Sequence, residues 1–221
     1  VNKDITNPIL DVTFDGVHIM DGDIVSAKPE IMVMVKDENP YLIFNEDGDT
    51  AHFKVWLLPP GVSEPQRVWF RQGGFEQLQF VKASGSENRA HIIYRPELLQ
   101  DGTYRLIVEA QDKSRNESGD INYEISFEVI NKPSITAVMN WPNPFSTATH
   151  FVFTLTGSQV PDFFMIQIMT ISGKVVREIS KEELGNIHVG RNITDYAWDG
   201  TDMYGDRLAN GIYLYRVMTR I

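Results

Sequence analysis

The stretch Tyr196-Ala-Trp-Asp-Gly-Thr-Asp-Met-Tyr-Gly-Asp-Arg-Leu-Ala-Asn-Gly-Ile-Tyr-Leu-Tyr-Arg-Val217 decides how the last third of the chain folds. Trp198 stands before a turn signal, Asp199-Gly200. A second turn falls around Gly205 and a third at Asn210-Gly211. After these the residues alternate, with Ile212, Leu214 and Arg216 on one face and Tyr213, Tyr215 and Val217 on the other. Gly211 is expected to take the positive φ that turns the chain into this strand. Dense turns around aromatic, alternating segments predict packed β-sheets and no catalytic cleft.

The same pattern runs upstream. Phe151, Phe153 and Leu155 alternate with polar or smaller residues, and Phe164 to Ile171 forms a second apolar run. Ser172-Gly173 turns the chain into a strand over Lys174 to Ile179, and Lys181 to Leu184 reads as one helical turn. Val129-Ile-Asn-Lys-Pro-Ser-Ile135 is the best boundary, because a strand ends, Pro133 forces extended backbone, and a fresh strand begins. Two domains are therefore expected, 1–132 and 133–221.

In the first of these, Ile9 to Phe14 alternates, and Asp15-Gly16 signals a two-residue hairpin into Val17 to Met20. Ile31 to Val35 is apolar on both faces and reads as a central strand. An acidic turn at Asn45 to Asp49 leads to a strand over His52 to Leu57, with shorter strands at Arg67 to Phe70, Leu78 to Val81 and Ala90 to Tyr94. Pro96 to Leu99 is at most one helical turn. The clearest strand carries Tyr104, Leu106, Val108 and Ala110 on one face, and Tyr123 to Val129 alternates again. This is the pattern of an immunoglobulin-like sandwich, in which Tyr104 is either a tyrosine corner or an ordinary core aromatic.

The totals exclude several classes. The chain has 221 residues, a formal net charge of −10 and no cysteine. An acidic chain does not neutralise phosphates, so nucleic acid and anionic membrane surfaces are poor partners. No apolar run reaches the ~20 residues that span a bilayer, so no membrane insertion is expected. Without cysteine there is no disulfide, thiolate metal site or cysteine nucleophile. The start, Val1-Asn-Lys-Asp, is no signal peptide, and its lack of Met predicts a piece of a longer chain.

No nucleophile elbow, phosphate-binding loop or zinc-helix motif is present. His18, His52, His91, His150 and His188 fall singly on different strands. Two loops concentrate carboxylates: Asp199, Asp202 and Asp206, and Glu46, Asp47 and Asp49. Calcium takes several oxygen ligands from such loops. Asp also favours turns because its side chain bonds the nearby backbone. The Asp199 to Asp206 loop is thus either a calcium site or a set of turn residues, and no other cofactor is expected. Trp56, Trp69, Phe70, Trp141 and Trp198 are either stacking platforms for sugars or core anchors.

Two motifs of the last third resemble a known family. Asn140-Trp-Pro-Asn-Pro-Phe-Ser-Thr-Ala-Thr-His-Phe-Val-Phe153 resembles the opening of the C-terminal sorting domains of Bacteroidetes type IX secretion cargo. Ile168-Met-Thr-Ile-Ser-Gly-Lys-Val-Val176, Trp198-Asp-Gly-Thr-Asp202 and Asn210-Gly-Ile-Tyr-Leu-Tyr215 are similar to the rest of that domain and to the related domain of flagellar hook-capping proteins. Upstream, Asp21-Gly-Asp23, Pro29-Glu-Ile31 and Val35-Lys-Asp-Glu-Asn39 resemble the domain between the catalytic and sorting domains of gingipain-family cysteine peptidases, the type IX sortase among them.

The resemblance implies a pair of immunoglobulin-like sandwiches from a large cell-surface or outer-membrane protein. They would sort, anchor or present an upstream peptidase domain, and the secretion machinery would be a partner. The family's cysteine nucleophile has no matching position here, so the segment itself is expected to be non-catalytic. The competing expectation is a carbohydrate-binding module of a secreted enzyme. Sorting domains usually continue past the Gly-x-Tyr-x-Tyr strand, which predicts at least one more strand after Ile221 in the natural protein.

Overall fold

The computed structural model describes residues 6–37, 43–84, 88–114, 116–118 and 122–220. It is all-β, and the chain divides into two compact units, Val1–Asn131 and Lys132–Ile221. Glu38 and Asn39 of the quoted motif, and Ile221, lie outside the described residues.

The first unit holds β1 (Ile9–Phe14), β2 (Asp23–Val25), β3 (Ile31–Asp37), a 3-10 helix (Asp47–His52), β4 (Phe53–Leu58), β5 (Gln66–Val68), β6 (Arg71–Gln72), β7 (Phe75–Glu76), β8 (Leu78–Val81), β9 (Asn88–Tyr94), β10 (Gly102–Ala110) and β11 (Tyr123–Val129). One sheet runs β1-β3-β9-β8 and the other β2-β11-β10-β4-β5, while β6 and β7 form a small hairpin. β3 is interior to its sheet, as its two apolar faces predict. The two sheets face each other, and Phe14 of β1 meets Phe127 of β11 at 5.1 Å between ring centroids. Tyr104, Leu106, Val108 and Ala110 are all buried, on one face of β10.

Tyr104 is a tyrosine corner. Its hydroxyl donates to the Gln100 carbonyl at 2.9 Å, and its ring stacks on Phe127 at 5.7 Å. This pins the loop before β10 to the strand, satisfying a phenol that burial would otherwise strand without a partner.

The expected hairpin at Asp15-Gly16 is only a turn. Both residues take positive φ, and Phe14 and Val17 exchange backbone hydrogen bonds. No strand follows over 17–20, because β1 pairs with β3 instead. The reason is local: Asp15 Oδ1 accepts from the Glu30 backbone N at 2.8 Å, which ties the turn to the start of β3. Pro96 to Leu99 forms no helical turn.

The second unit holds β12 (Ser134–Trp141), β13 (Thr149–Thr156), β14 (Phe163–Thr170), β15 (Val175–Ser180), the single helical turn α1 (Lys181–Leu184), β16 (Gly190–Trp198) and β17 (Tyr213–Arg220). Its sheets run β12-β13-β16 and β15-β14-β17, every neighbouring pair antiparallel. Phe153 of β13 packs on Phe164 of β14 at 4.9 Å, and Phe151 meets Tyr215 of β17 edge-on at 5.3 Å. Ser180 and Glu183 cap α1 reciprocally, and Leu184 is fully buried. Such wholly buried apolar side chains stabilise by about 1.5–3 kcal/mol each.

Candidate functional site

In the second unit three of the four quoted stretches, those that carry Phe145, Trp198 and Tyr213, meet at one place. β12 ends at Trp141, and the Trp141-Pro142 and Asn143-Pro144 peptide bonds are both cis. Buried Thr149 fixes this segment: its hydroxyl donates to the Pro142 carbonyl at 2.7 Å and accepts from Asn140 Nδ2 at 3.1 Å. Phe145 is thereby set against Trp198, with ring centroids 5.5 Å apart. Trp198 closes β16, paired across from Thr149, and is 5% exposed. Its indole N–H donates to the Thr201 carbonyl at 2.8 Å. Tyr213 completes the cluster, its ring 5.8 Å from Trp198 and nearly perpendicular.

The loop between β16 and β17 is held by its own aspartates. Asp199 Oδ1 accepts from the Thr201 hydroxyl at 2.6 Å and from the Thr201 backbone N at 3.1 Å. The hydroxyl bond, above all, holds the Asp199 carboxyl below the usual carboxylate range. Asp202 Oδ1 accepts from the backbone N of Tyr204 at 2.9 Å and of Asp206 at 3.0 Å. Positive φ occurs at Gly200 and Gly205, and not at Gly211 as the sequence predicted. The turn into β17 is secured differently. The Tyr213 hydroxyl donates to the Ala209 carbonyl at 2.8 Å, four residues back. Gly102-Thr-Tyr104 and Gly211-Ile-Tyr213 therefore use the same device, one in each unit.

Two clefts flank the cluster. One, of about 370 Å³, has walls from Asn140, Phe151, Ile168, Tyr213 and Tyr215. The other, of about 450 Å³, is bordered by Phe145, Asp199, Arg207 and Asn210. The first offers aromatic faces and side-chain amides, which suits recognition of an apolar segment by shape.

The remaining candidates are dispersed. His18 bonds Asp11 at 2.7 Å on the surface, and His150 Nδ1 lies 2.7 Å from the Thr194 carbonyl. Burial, then Arg89, holds the His91 imidazole below its ordinary value. In the other acidic loop, Lys82 pairs with Asp47 at 2.9 Å and Lys113 with buried Asp49 at 2.8 Å. Asp49 also accepts from the Glu46 backbone N. Among the described residues no three histidine or carboxylate side chains are grouped as metal ligands.

The tryptophans divide. Trp198 is a core anchor, while Trp69 is 55% and Trp141 68% exposed. Trp56 and Trp69 sandwich a cation, the Arg67 guanidinium lying 4.6 Å from one ring and 5.2 Å from the other. Phe70 packs on the core of the first unit.

No family model matches the sequence, and no curated protein matches it. Among the solved structures that this chain resembles weakly are two that span nearly all of it. Dimeric latent PorU from Porphyromonas gingivalis is 19% identical with a TM-score of 0.41, over 98% of this chain and 19% of that one. A chaperone–tip adhesin complex of CFA/I fimbriae biogenesis is 10% identical with a TM-score of 0.27, over 98% of this chain and 99% of that one. The chain thus spans about a fifth of the PorU chain, and neither likeness is close enough to bear on function.

Proposed function

We propose that this chain is a non-catalytic, C-terminal β-sandwich segment of a larger gingipain-like protein, outside the cytoplasm, where it sorts, anchors or presents an upstream peptidase domain. The observation that carries the reading is the convergence of three of the four sorting-like stretches on the Phe145, Trp198 and Tyr213 cluster. Phe145 lies more than fifty residues before Trp198 in sequence, and the half-buried Phe145 and Tyr213 rings around that anchor present one surface, which a secretion apparatus can recognise as a unit. The lack of any cysteine supports the non-catalytic role, since the related peptidases act through a thiolate.

The test is export of a reporter. A periplasm-directed fluorescent protein carrying this chain at its C-terminus is expressed in a type IX-secreting Bacteroidetes host. Surface labelling is expected in the normal host, with periplasmic retention in a host lacking the secretion apparatus. Equal distribution in both hosts refutes the sorting role. The purified chain is also expected to leave Arg- and Lys-ester peptidase reporters uncleaved.

The carbohydrate-binding alternative is disfavoured by Arg67, which covers one face of both Trp56 and Trp69. Glycan-array binding lost on Trp69→Ala would reinstate it.

A further inference from the structure

β17 ends its sheet. It pairs with β14 on one side, and no strand lies along its other edge among the described residues. On the outer face a polar ladder crosses the three strands in register, Glu178 opposite Gln167 and Gln167 opposite Arg216. Gln167 Nε2 donates to Glu178 Oε1 at 2.5 Å, and Arg216 Nε donates to Gln167 Oε1 at 2.7 Å. Each step hands a donor to an acceptor. The last member is a guanidinium, all donors and no acceptor. The ladder therefore runs out at the open edge in a group that calls for a carboxylate at the next cross-strand position. Arg220 shares that face, four residues on.

The inner face of the same strand borders unfilled space. Tyr213 and Tyr215 line the cleft of about 370 Å³, with Asn140 of β12 and Phe151 of β13 across from them. β12 is itself poorly covered, with Val138 36% and Met139 50% exposed. Leu214, on the outer face of β17, is 49% exposed. A long, flat edge with apolar residues on both faces is a template for another strand.

We propose that the free edge of β17 is a strand-addition site for an extended segment of a partner polypeptide. That segment is apolar on the side turned to the cleft, and it carries carboxylates opposite Arg216 and Arg220. Backbone hydrogen bonds supply the affinity of such a complex and alternate side chains its specificity. Charge selects the occupant: opposite charges facing each other across strands stabilise, and like charges destabilise. A second copy of β17 would bring two more arginines and no carboxylate. Nor does bulk attraction choose the partner, because residues 132–221 contain eight acidic and eight basic side chains. The inference is independent of the export reading.

The test uses the whole chain and two synthetic strand peptides of alternating Val and Thr. One carries two Glu four residues apart on its Thr face, and the other carries two Lys there. Fluorescence anisotropy gives affinity, and amide hydrogen exchange gives location. The Glu peptide is expected to bind about fivefold or more tighter than the Lys peptide and to slow exchange over Tyr213–Arg220. Arg216→Glu should reverse the preference, and Arg216→Gln, which keeps a donor to Gln167, should weaken it without loss of fold. Equal affinity of the two peptides, no binding of either, or protection on β12 in place of β17 overturns the proposal. Self-association through β17 that the Glu peptide does not displace overturns it too, in favour of a second copy. A β17 edge already protected from exchange without peptide in the natural protein extended past Ile221 overturns it in favour of the chain's own next strand.

Discussion

Trp198 is where the candidate site is most exposed to test. Replacing it with Ala removes a side chain that is 5% exposed and touches both Phe145 and Tyr213. Truncating a buried Trp costs about 3–5 kcal/mol. A unit of ~90 residues has roughly 5–13 kcal/mol of stability in total, so the loss is a large share of it. Trp198→Phe keeps a ring in the cluster but deletes the indole donor to the Thr201 carbonyl, a bond of 2.8 Å. That bond is worth about 1 kcal/mol, and the smaller ring adds about as much again. At about 4–8 °C per kcal/mol, Trp198→Phe should melt about 8–16 °C lower, and Trp198→Ala lower still. The assay is thermal unfolding followed by methyl NMR. Leu155 and Ile166 report on the second core, and Leu106 and Val108 on the first. Only the second set should shift. Export of the fused reporter should survive Trp198→Phe and fail with Trp198→Ala. If Trp198→Ala costs under about 1 kcal/mol, the cluster is not what holds the three stretches together, given the usual cost of a buried Trp truncation.

The paired tyrosines give a graded comparison. Tyr104 is buried and Tyr213 half-buried, so Tyr104→Phe should cost about 1–1.5 kcal/mol in urea titration and Tyr213→Phe about 0.5; the reverse order would contradict the corner assignment of Tyr104. Burial pushes the Tyr94 phenol up to about 12, against about 10 in the unfolded chain. The folded state then keeps a proton that the unfolded state has lost. Stability should be full below about pH 10 and fall as pH rises towards 12, and a Tyr94→Phe variant should flatten that decline. For the Asp199 to Asp206 loop, Asp199 and Asp202 already accept bonds from their own turns, so melting should be the same in millimolar calcium and in chelator. A melting temperature that climbs with calcium, and no longer does so in an Asp202→Asn variant, would place the ion on Asp199, Asp202 and Asp206.

What the sequence could reveal followed the polarity of alternate residues. β10, β11, β13 and β17 were legible because each places apolar side chains at every second position against a core, and β3 and β14 because each is a short apolar run. Turns were legible through Asp15-Gly16, Ser172-Gly173 and Asp199-Gly200, whose residues tolerate the required backbone. Where a turn leads was legible at Ser172-Gly173, which joins β14 to its partner β15, but not at Asp15-Gly16. Asp15-Gly16 looks like a hairpin, and long-range bonds in both directions between Asp15 and Glu30 divert the chain. The parallel pairing of β2 with β11 joins residues about 100 positions apart and leaves no local trace.

β16 was missed for a more instructive reason, and the reason bears on the site. Its alternation is intact but inverted. Gly190, Asn192 and Thr194 point inward, whereas Ile193 is 60% exposed. Polar residues are tolerated inside because the β13–β16 ladder slips between His150 and Val152 and leaves backbone groups to be satisfied. Thr194 Oγ1 accepts from Phe151 N at 3.0 Å and donates to the Tyr196 carbonyl at 2.7 Å. Asn192 donates to the carbonyls of His188 and Gly190. Buried side chains that replace missing ladder bonds do not read as a strand on a hydrophobicity scale, yet they fix the register that delivers Trp198 to Phe145. The Tyr-Ala-Trp-Asp-Gly end of the strand was conspicuous in sequence. The polar residues that aim it were not, since their role exists only once β13 lies alongside.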